Sequence, residues 1–95
     1  MNIYLTATLN SKPEFTEEVK AVLQTMVRES RKEKACIQYE LHQGIKDKTV
    51  FVFQEIWESE EALQEHNQQW YIQDFVKLID EKLQEAPSIY FTTKL

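Results

Sequence analysis

The segment Val50-Phe51-Val52-Phe53-Gln54-Glu55-Ile56-Trp57 constrains the fold more than any other part of the chain. Alternate residues of a strand point to opposite faces of its sheet. Here both sets are apolar, Val50, Val52 and Ile56 on one side and Phe51, Phe53 and Trp57 on the other. Such a strand belongs inside a sheet that is covered twice. Helices in a small chain cover one face, and 95 residues leave no further elements for the other, so the economical cover is the same sheet in a second copy. The expectation is a homodimer joined through the sheet face.

The remaining segments fall into place around that strand. Residues 2–10 alternate, with Ile3, Leu5, Ala7 and Leu9 on one face and Tyr4, Thr6 and Thr8 on the other, and read as a first strand. After Ser11-Lys12-Pro13, the residues Phe15, Val19, Val22, Met26 and Val27 recur at helical spacing, predicting a helix to about Glu33. Cys36 to Gln43 alternates again, and the turn Gly44-Ile45-Lys46-Asp47-Lys48 joins it to residues 49–57 as a hairpin. Ser59 is a good N-cap, followed by Glu60 and Glu61 in a first helical turn. Leu63, His66 and Trp70 share one face, but Ile72, Phe75, Val76, Ile79 and Leu83 form a stripe nearly half a turn away. One straight helix cannot bury both. The phase predicts a break within Asn67-Gln68-Gln69, a short helix over 59–67 and a longer one over 70–85 that Pro87 ends. Residues 88–95 read as a last strand, with Ile89, Phe91 and Leu95 on one face. The order is βαββαβ, an α+β ferredoxin-like plan in a single domain over 1–95, with an antiparallel sheet and its helices on one face.

Composition narrows the function. A net charge of −5, with Arg28 and Arg31 the only arginines, leaves no basic face for a phosphate backbone, so nucleic acid is not an expected partner. Cys36 is the only cysteine, which fits a reducing compartment and excludes a disulfide framework or thiolate metal cluster. No segment approaches the ~20 apolar residues of a membrane span. The chain reads as a cytoplasmic protein without membrane contact. Gly44 is the only glycine, so no Gly-rich phosphate loop exists. His42 and His66, with no metal-binding spacing, predict no bound metal.

The chemistry concentrates in Gln54-Glu55-Ile56-Trp57-Glu58-Ser59-Glu60-Glu61-Ala62-Leu63-Gln64-Glu65-His66, where a strand passes into a helix. Glu55 and Trp57 share a face with Phe51 and Phe53. If that face looks at the helices, an aromatic wall with one carboxylate meets Leu63 and His66, and Trp70 stands next on the same stripe. Glu55 accepting a proton from the His66 ring would set its tautomer and free the other nitrogen to act on a ligand hydroxyl. The same spacing also suits a buried Glu–His pair that only ties helix to sheet.

Residues 33–41, Glu-Lys-Ala-Cys-Ile-Gln-Tyr-Glu-Leu, the phrase Phe53 through His66, and the short polar gap before a second helix resemble the antibiotic biosynthesis monooxygenase domain family. The most specific part is E-x-W-x-S-x-x-A-L-x-x-H, Glu55 through His66. The resemblance implies a dimeric α+β barrel, two ferredoxin-like protomers joined sheet to sheet. It also implies oxygenation of a quinol- or anthrone-type phenol by O2 with no cofactor, in a pocket between sheet and helices. In that pocket His66 would be the base or hydrogen-bond partner, Glu55 would orient it, Trp57, Phe51 and Phe53 would form walls, and Thr6, with its face of the first strand turned toward the helices, would line it. Many relatives carry a second histidine where this chain has Tyr71, whose phenol can still hydrogen-bond. The haem-degrading branch places an asparagine near Thr6, a tryptophan near His66 and a haem ligand near Val76, so this chain departs from it at all three. A small-molecule-binding dimer without catalysis, and a proton-transfer enzyme such as an isomerase, stand as alternatives on the same scaffold.

Overall fold

The computed structural model describes residues 1–95. Strands β1 (Ile3–Asn10), β2 (Cys36–Gln43), β3 (Val50–Trp57) and β4 (Ser88–Thr92) pair antiparallel in the order β2-β3-β1-β4. Helices α1 (Thr16–Ser30), α2 (Glu60–Asn67) and α3 (Trp70–Lys82) pack on one face of this sheet, sharing a single core with Leu5, Ala7, Leu9, Phe51, Phe53 and Trp57. This is the ferredoxin-like βαββαβ plan that the alternation and helical spacing predict.

Register decides which side chains meet the helices. Leu5 lies opposite Glu55, Ala7 opposite Phe53 and Leu9 opposite Phe51, all on the helix side. Tyr4 lies opposite Ile56, Thr6 opposite Gln54 and Thr8 opposite Val52, all on the outer side. Val50, Val52 and Ile56 are only half-buried there, because no element of this chain covers that face. At the hairpin, the Gly44 N–H donates to the Val50 carbonyl at 2.8 Å, and a Cβ at residue 44 would stand 2.2 Å from the Asp47 carbonyl oxygen. Only glycine permits that approach.

A single 3-10 turn over Pro13–Phe15, with proline at its start, leads into α1. Val19, Leu23 and Met26 then fall on the buried stripe. The helix ends at Ser30, three residues before the expected Glu33. The Lys32 and Glu33 N–H groups turn back to the Glu29 and Ser30 carbonyls, tightening the chain out of the helix. Arg31 fastens this turn to β2, donating from Nε to the Tyr39 carbonyl at 3.0 Å and from Nη2 to Glu40 at 3.1 Å.

The predicted helix break is present. Ser59 caps α2 by accepting from the Ala62 N–H at 3.1 Å. After Asn67 the Gln68 and Gln69 N–H groups bond back three residues, and Gln69 becomes extended (φ −69°, ψ 149°) before α3 starts. The rotation buries Ile72 and Leu78 and leaves Trp70 59% exposed. The end of α3 differs from expectation. It stops at Lys82, well before Pro87, because Leu83 turns extended and bridges Ser11. The Lys82 carbonyl then accepts from the Lys12 N–H and the Gln84 N–H donates to Asn10, both at 2.8 Å. Pairing with the end of β1 supplies the partners that another helical turn would have supplied.

Candidate functional site

Between the helix side of the sheet, α2, α3 and β4 lies a cavity of about 430 Å³. Leu5, Ala7, Leu9 and Phe53 form its floor, with Ile72, Phe75 and Ile79 on the α3 side. Two ionisable groups stand in this apolar lining beside the Tyr39 phenol, namely Glu55 from β3 and His66 from the last turn of α2. At the α2–α3 break the neutral amides of Asn67, Gln68 and Gln73 complete the lining. The break that rotates the apolar stripe also brings these side chains to the cavity.

His66 is 3% exposed and held on all sides. Its ring lies against Trp57 with centroids 4.3 Å apart and meets Tyr39 edge-on at 5.5 Å. Its Nδ1 stands 2.7 Å from Glu33 Oε2, and the Tyr71 hydroxyl donates to the same oxygen. Burial holds the imidazole below its ordinary range, opposed by the Glu33 carboxylate. The neutral ring therefore carries its proton on Nδ1, where the acceptor is, leaving the Nε2 lone pair as the base. Burial, reinforced by Glu33, raises the Tyr71 phenol, which stays protonated as donor.

Glu33 is the residue that sequence reasoning missed. It comes from the turn between α1 and β2, where no periodicity marks it. One signal was available, since an acidic residue just past a helix C-terminus sits at the wrong end of the dipole and needs another partner.

Glu55 does not orient His66, which corrects the expected pairing. Its Oε1 accepts from the Trp57 indole N–H at 2.9 Å, and it is Glu33 that reaches the imidazole. Residues two apart on one strand face put the indole N–H beside the carboxylate before any helix residue can reach it. Burial pushes the Glu55 carboxyl up to about 7, against the lowering effect of the Trp57 bond. Near neutral pH it is a proton donor and acceptor in its own right.

Of the remaining expected site residues, Phe53 lines the cavity, whereas Phe51 and Trp57 are fully buried behind its surface. Trp57 acts on the cavity through the two groups it touches, Glu55 and His66. Tyr71 is likewise outside the lining and reaches His66 through Glu33. Thr6 does not line the cavity. The register turns it to the outer face, where its hydroxyl donates to Gln54 at 2.9 Å. Trp70 is also outside, packed edge-on against Tyr71. Cys36 is pushed up to about 11, chiefly by burial, and is no nucleophile at neutral pH. No three His, Cys, Asp or Glu side chains gather as a metal site.

The family model for the antibiotic biosynthesis monooxygenases matches residues 2–78. The chain belongs to that family. Among curated proteins it is similar to "Putative monooxygenase YcnE" of Bacillus subtilis, 36% identical over 74 residues that make up 78% of each chain. It is also 33% identical over 75 residues to the uncharacterized protein sll1783 of Synechocystis, matching 79% of this chain and about half, 51%, of that one. Among solved structures, PA3566 of Pseudomonas aeruginosa superimposes with a TM-score of 0.93 at 30% identity, covering 99% of this chain and 94% of that one. A crystal structure named for an antibiotic biosynthesis monooxygenase superimposes at 0.91 with 26% identity, covering 98% of both. Membership of the antibiotic biosynthesis monooxygenase family supports a monooxygenase-like function in general terms. No helix is long and apolar enough to cross a membrane.

Proposed function

We propose that this protein oxygenates a small quinol- or anthrone-type phenol with O2, using neither metal nor flavin, as a homodimer in the cytoplasm. The observation that carries the reading is an imidazole set in an apolar cavity with one nitrogen engaged by Glu33 and the other left basic. His66 takes the phenolic or enolic proton, and the surrounding apolar wall keeps the resulting anion free of water's hydrogen bonds. The electron-rich ring passes one electron to O2, and the two radicals combine to form a carbon–peroxide bond. For an anthrone-type methylene, loss of the remaining C–H proton with cleavage of O–O yields the carbonyl and water. One oxygen atom enters the product and the other leaves as water. Glu33 and Tyr71 act as positioning residues, holding the ring and its tautomer.

The dimer belongs to the same reading. The half-buried Val50, Val52 and Ile56 form the middle of an open sheet face, and a second such face is their natural complement. Light scattering at micromolar concentration tests it, and a monomeric mass would overturn it.

Oxygen uptake with a panel of hydroquinones and anthrones tests the chemistry. His66→Phe keeps a ring against Trp57 but removes the base, and is expected to lower turnover by roughly 10²–10⁴. Glu33→Gln should lower it less and alter its pH profile. Uptake unchanged in His66→Phe would sink His66 as the base. Binding without turnover would favour a non-catalytic ligand carrier, and proton exchange in substrate without O2 consumption would favour an isomerase.

A further inference from the structure

The charge inventory of the cavity says which phenols it admits. None of its 18 lining residues is lysine or arginine. Nearby cations are engaged elsewhere, Arg31 with the Tyr39 carbonyl and Glu40, and Lys82 with Glu18. The one lining histidine is held neutral by burial and has its Nδ1 committed to Glu33. The lining's only carboxylate is Glu55, 6% exposed, with one oxygen tied to the Trp57 indole. Around it stand Leu5 across β1, Tyr39 across β2, His66 from α2 and, further off, Glu33 from the turn after α1. No cation faces it from any side.

We infer that the cavity accepts uncharged aromatic alcohols and rejects otherwise identical molecules bearing a carboxylate, sulfonate or phosphate, with Glu55 the residue that sets this selectivity. The inference deepens the proposed function and rests on its placing the ligand in this cavity. A buried anion with no counter-charge and an apolar wall loses its hydration without return. Above neutral pH the ionised Glu55 adds direct repulsion in a medium of low dielectric. An uncharged diol or hydroxy-ketone meets no such penalty. Its hydroxyl has His66 and Glu55 as partners at the inner end, and the rest of the ring meets the apolar wall of Leu5, Ala7, Phe53 and Ile72. Specificity of this kind comes from what the site repels as much as from what it holds.

The test uses two ligands of equal size, 6-hydroxy-2-naphthamide and 6-hydroxy-2-naphthoate, bound to the full chain at pH 8 under argon and measured by calorimetry. The amide is expected to bind and the carboxylate to bind about a hundredfold more weakly or worse. Glu55→Gln should narrow that gap by about tenfold. Gln68→Arg, at an exposed position of the lining, should raise carboxylate binding relative to the amide. Equal or tighter binding of the carboxylate by the unaltered protein overturns the inference, and a gap that survives Glu55→Gln intact overturns the role of Glu55. If neither ligand binds, the cavity is not the ligand site and the proposed function falls together with the selectivity. If selectivity holds while no phenol drives oxygen uptake, the inference stands and only the oxygenase chemistry fails.

Discussion

The two faces of β3 carry the same alternating pattern and end in different states. On the helix side, Phe51, Phe53, Glu55 and Trp57 are all buried, and the one charged group among them has an indole N–H as partner. On the outer side, Val50, Val52 and Ile56 are half-buried and Gln54 is exposed, bonded to Thr6 at the surface. One face is finished within the chain, and the other is left open by it. Apolar alternation on both sides therefore does not say which face the chain's own helices will cover.

Breaking the finished face should cost most. Trp57→Ala removes the largest fully buried side chain together with the donor to Glu55, and is expected to lower stability by about 3–5 kcal/mol in denaturant unfolding. A loss below about 1 kcal/mol would mean that the face is looser than its burial indicates.

Next comes the carboxylate of the same face. Burial raises the folded-state value of Glu55 from 4.5 to about 7, so the folded chain binds this proton more tightly than the unfolded chain. Its favourable contribution is complete below 4.5 and is lost as pH rises to about 7, a change of up to about 3 kcal/mol. His66 works in the opposite sense, since its lowered value makes the fold gain stability as pH rises through its titration. The difference between wild type and Glu55→Gln, followed by unfolding from pH 5 to 8, isolates the first effect. The variant should gain on wild type as pH rises, and parallel profiles would contradict the burial argument.

The unfinished face gives smaller and more selective effects. Ile56→Lys should leave the chain folded yet weaken self-association on the order of thirtyfold, about 2 kcal/mol, in sedimentation velocity. Association that tolerates this lysine would place any dimer contact elsewhere. Smallest of all, Thr6→Val deletes one exposed hydrogen bond to Gln54 and should change stability by less than about 0.5 kcal/mol, with oxygen uptake unaltered. A large loss of turnover would return Thr6 to the site.

What could be read from the residues follows from the range over which each signal acts. Strands, hairpin and the helix break were legible because alternation and helical phase are local, and the half-turn mismatch between Leu63–His66 and Ile72–Ile79 admits no unbroken helix. The end of α3 was not legible, because it depends on Leu83 meeting Ser11. Partnership in the site was also out of reach. Glu33 and His66 come together only through the packing of α2 over the turn after α1, and spacing alone made the nearer Glu55 the obvious choice. Thr6 is the opposite case. It was expected on the face toward the helices, yet it alternates with Leu5 and Ala7, whose apolar face is the one the helices cover.

The strand order β2-β3-β1-β4 sets a schedule for folding. β2 and β3 form a hairpin closed by the short connection 44–49 and can pair early, since short loops cost little entropy to close. β1 lies between β3 and β4, so it stays half-paired until residues 88–92 join the sheet. A nascent chain that stops at the end of α3 would hold β1 with one edge bare, open to capture by a neighbouring strand. Pairing of residues 88–92 with β1 closes that interval.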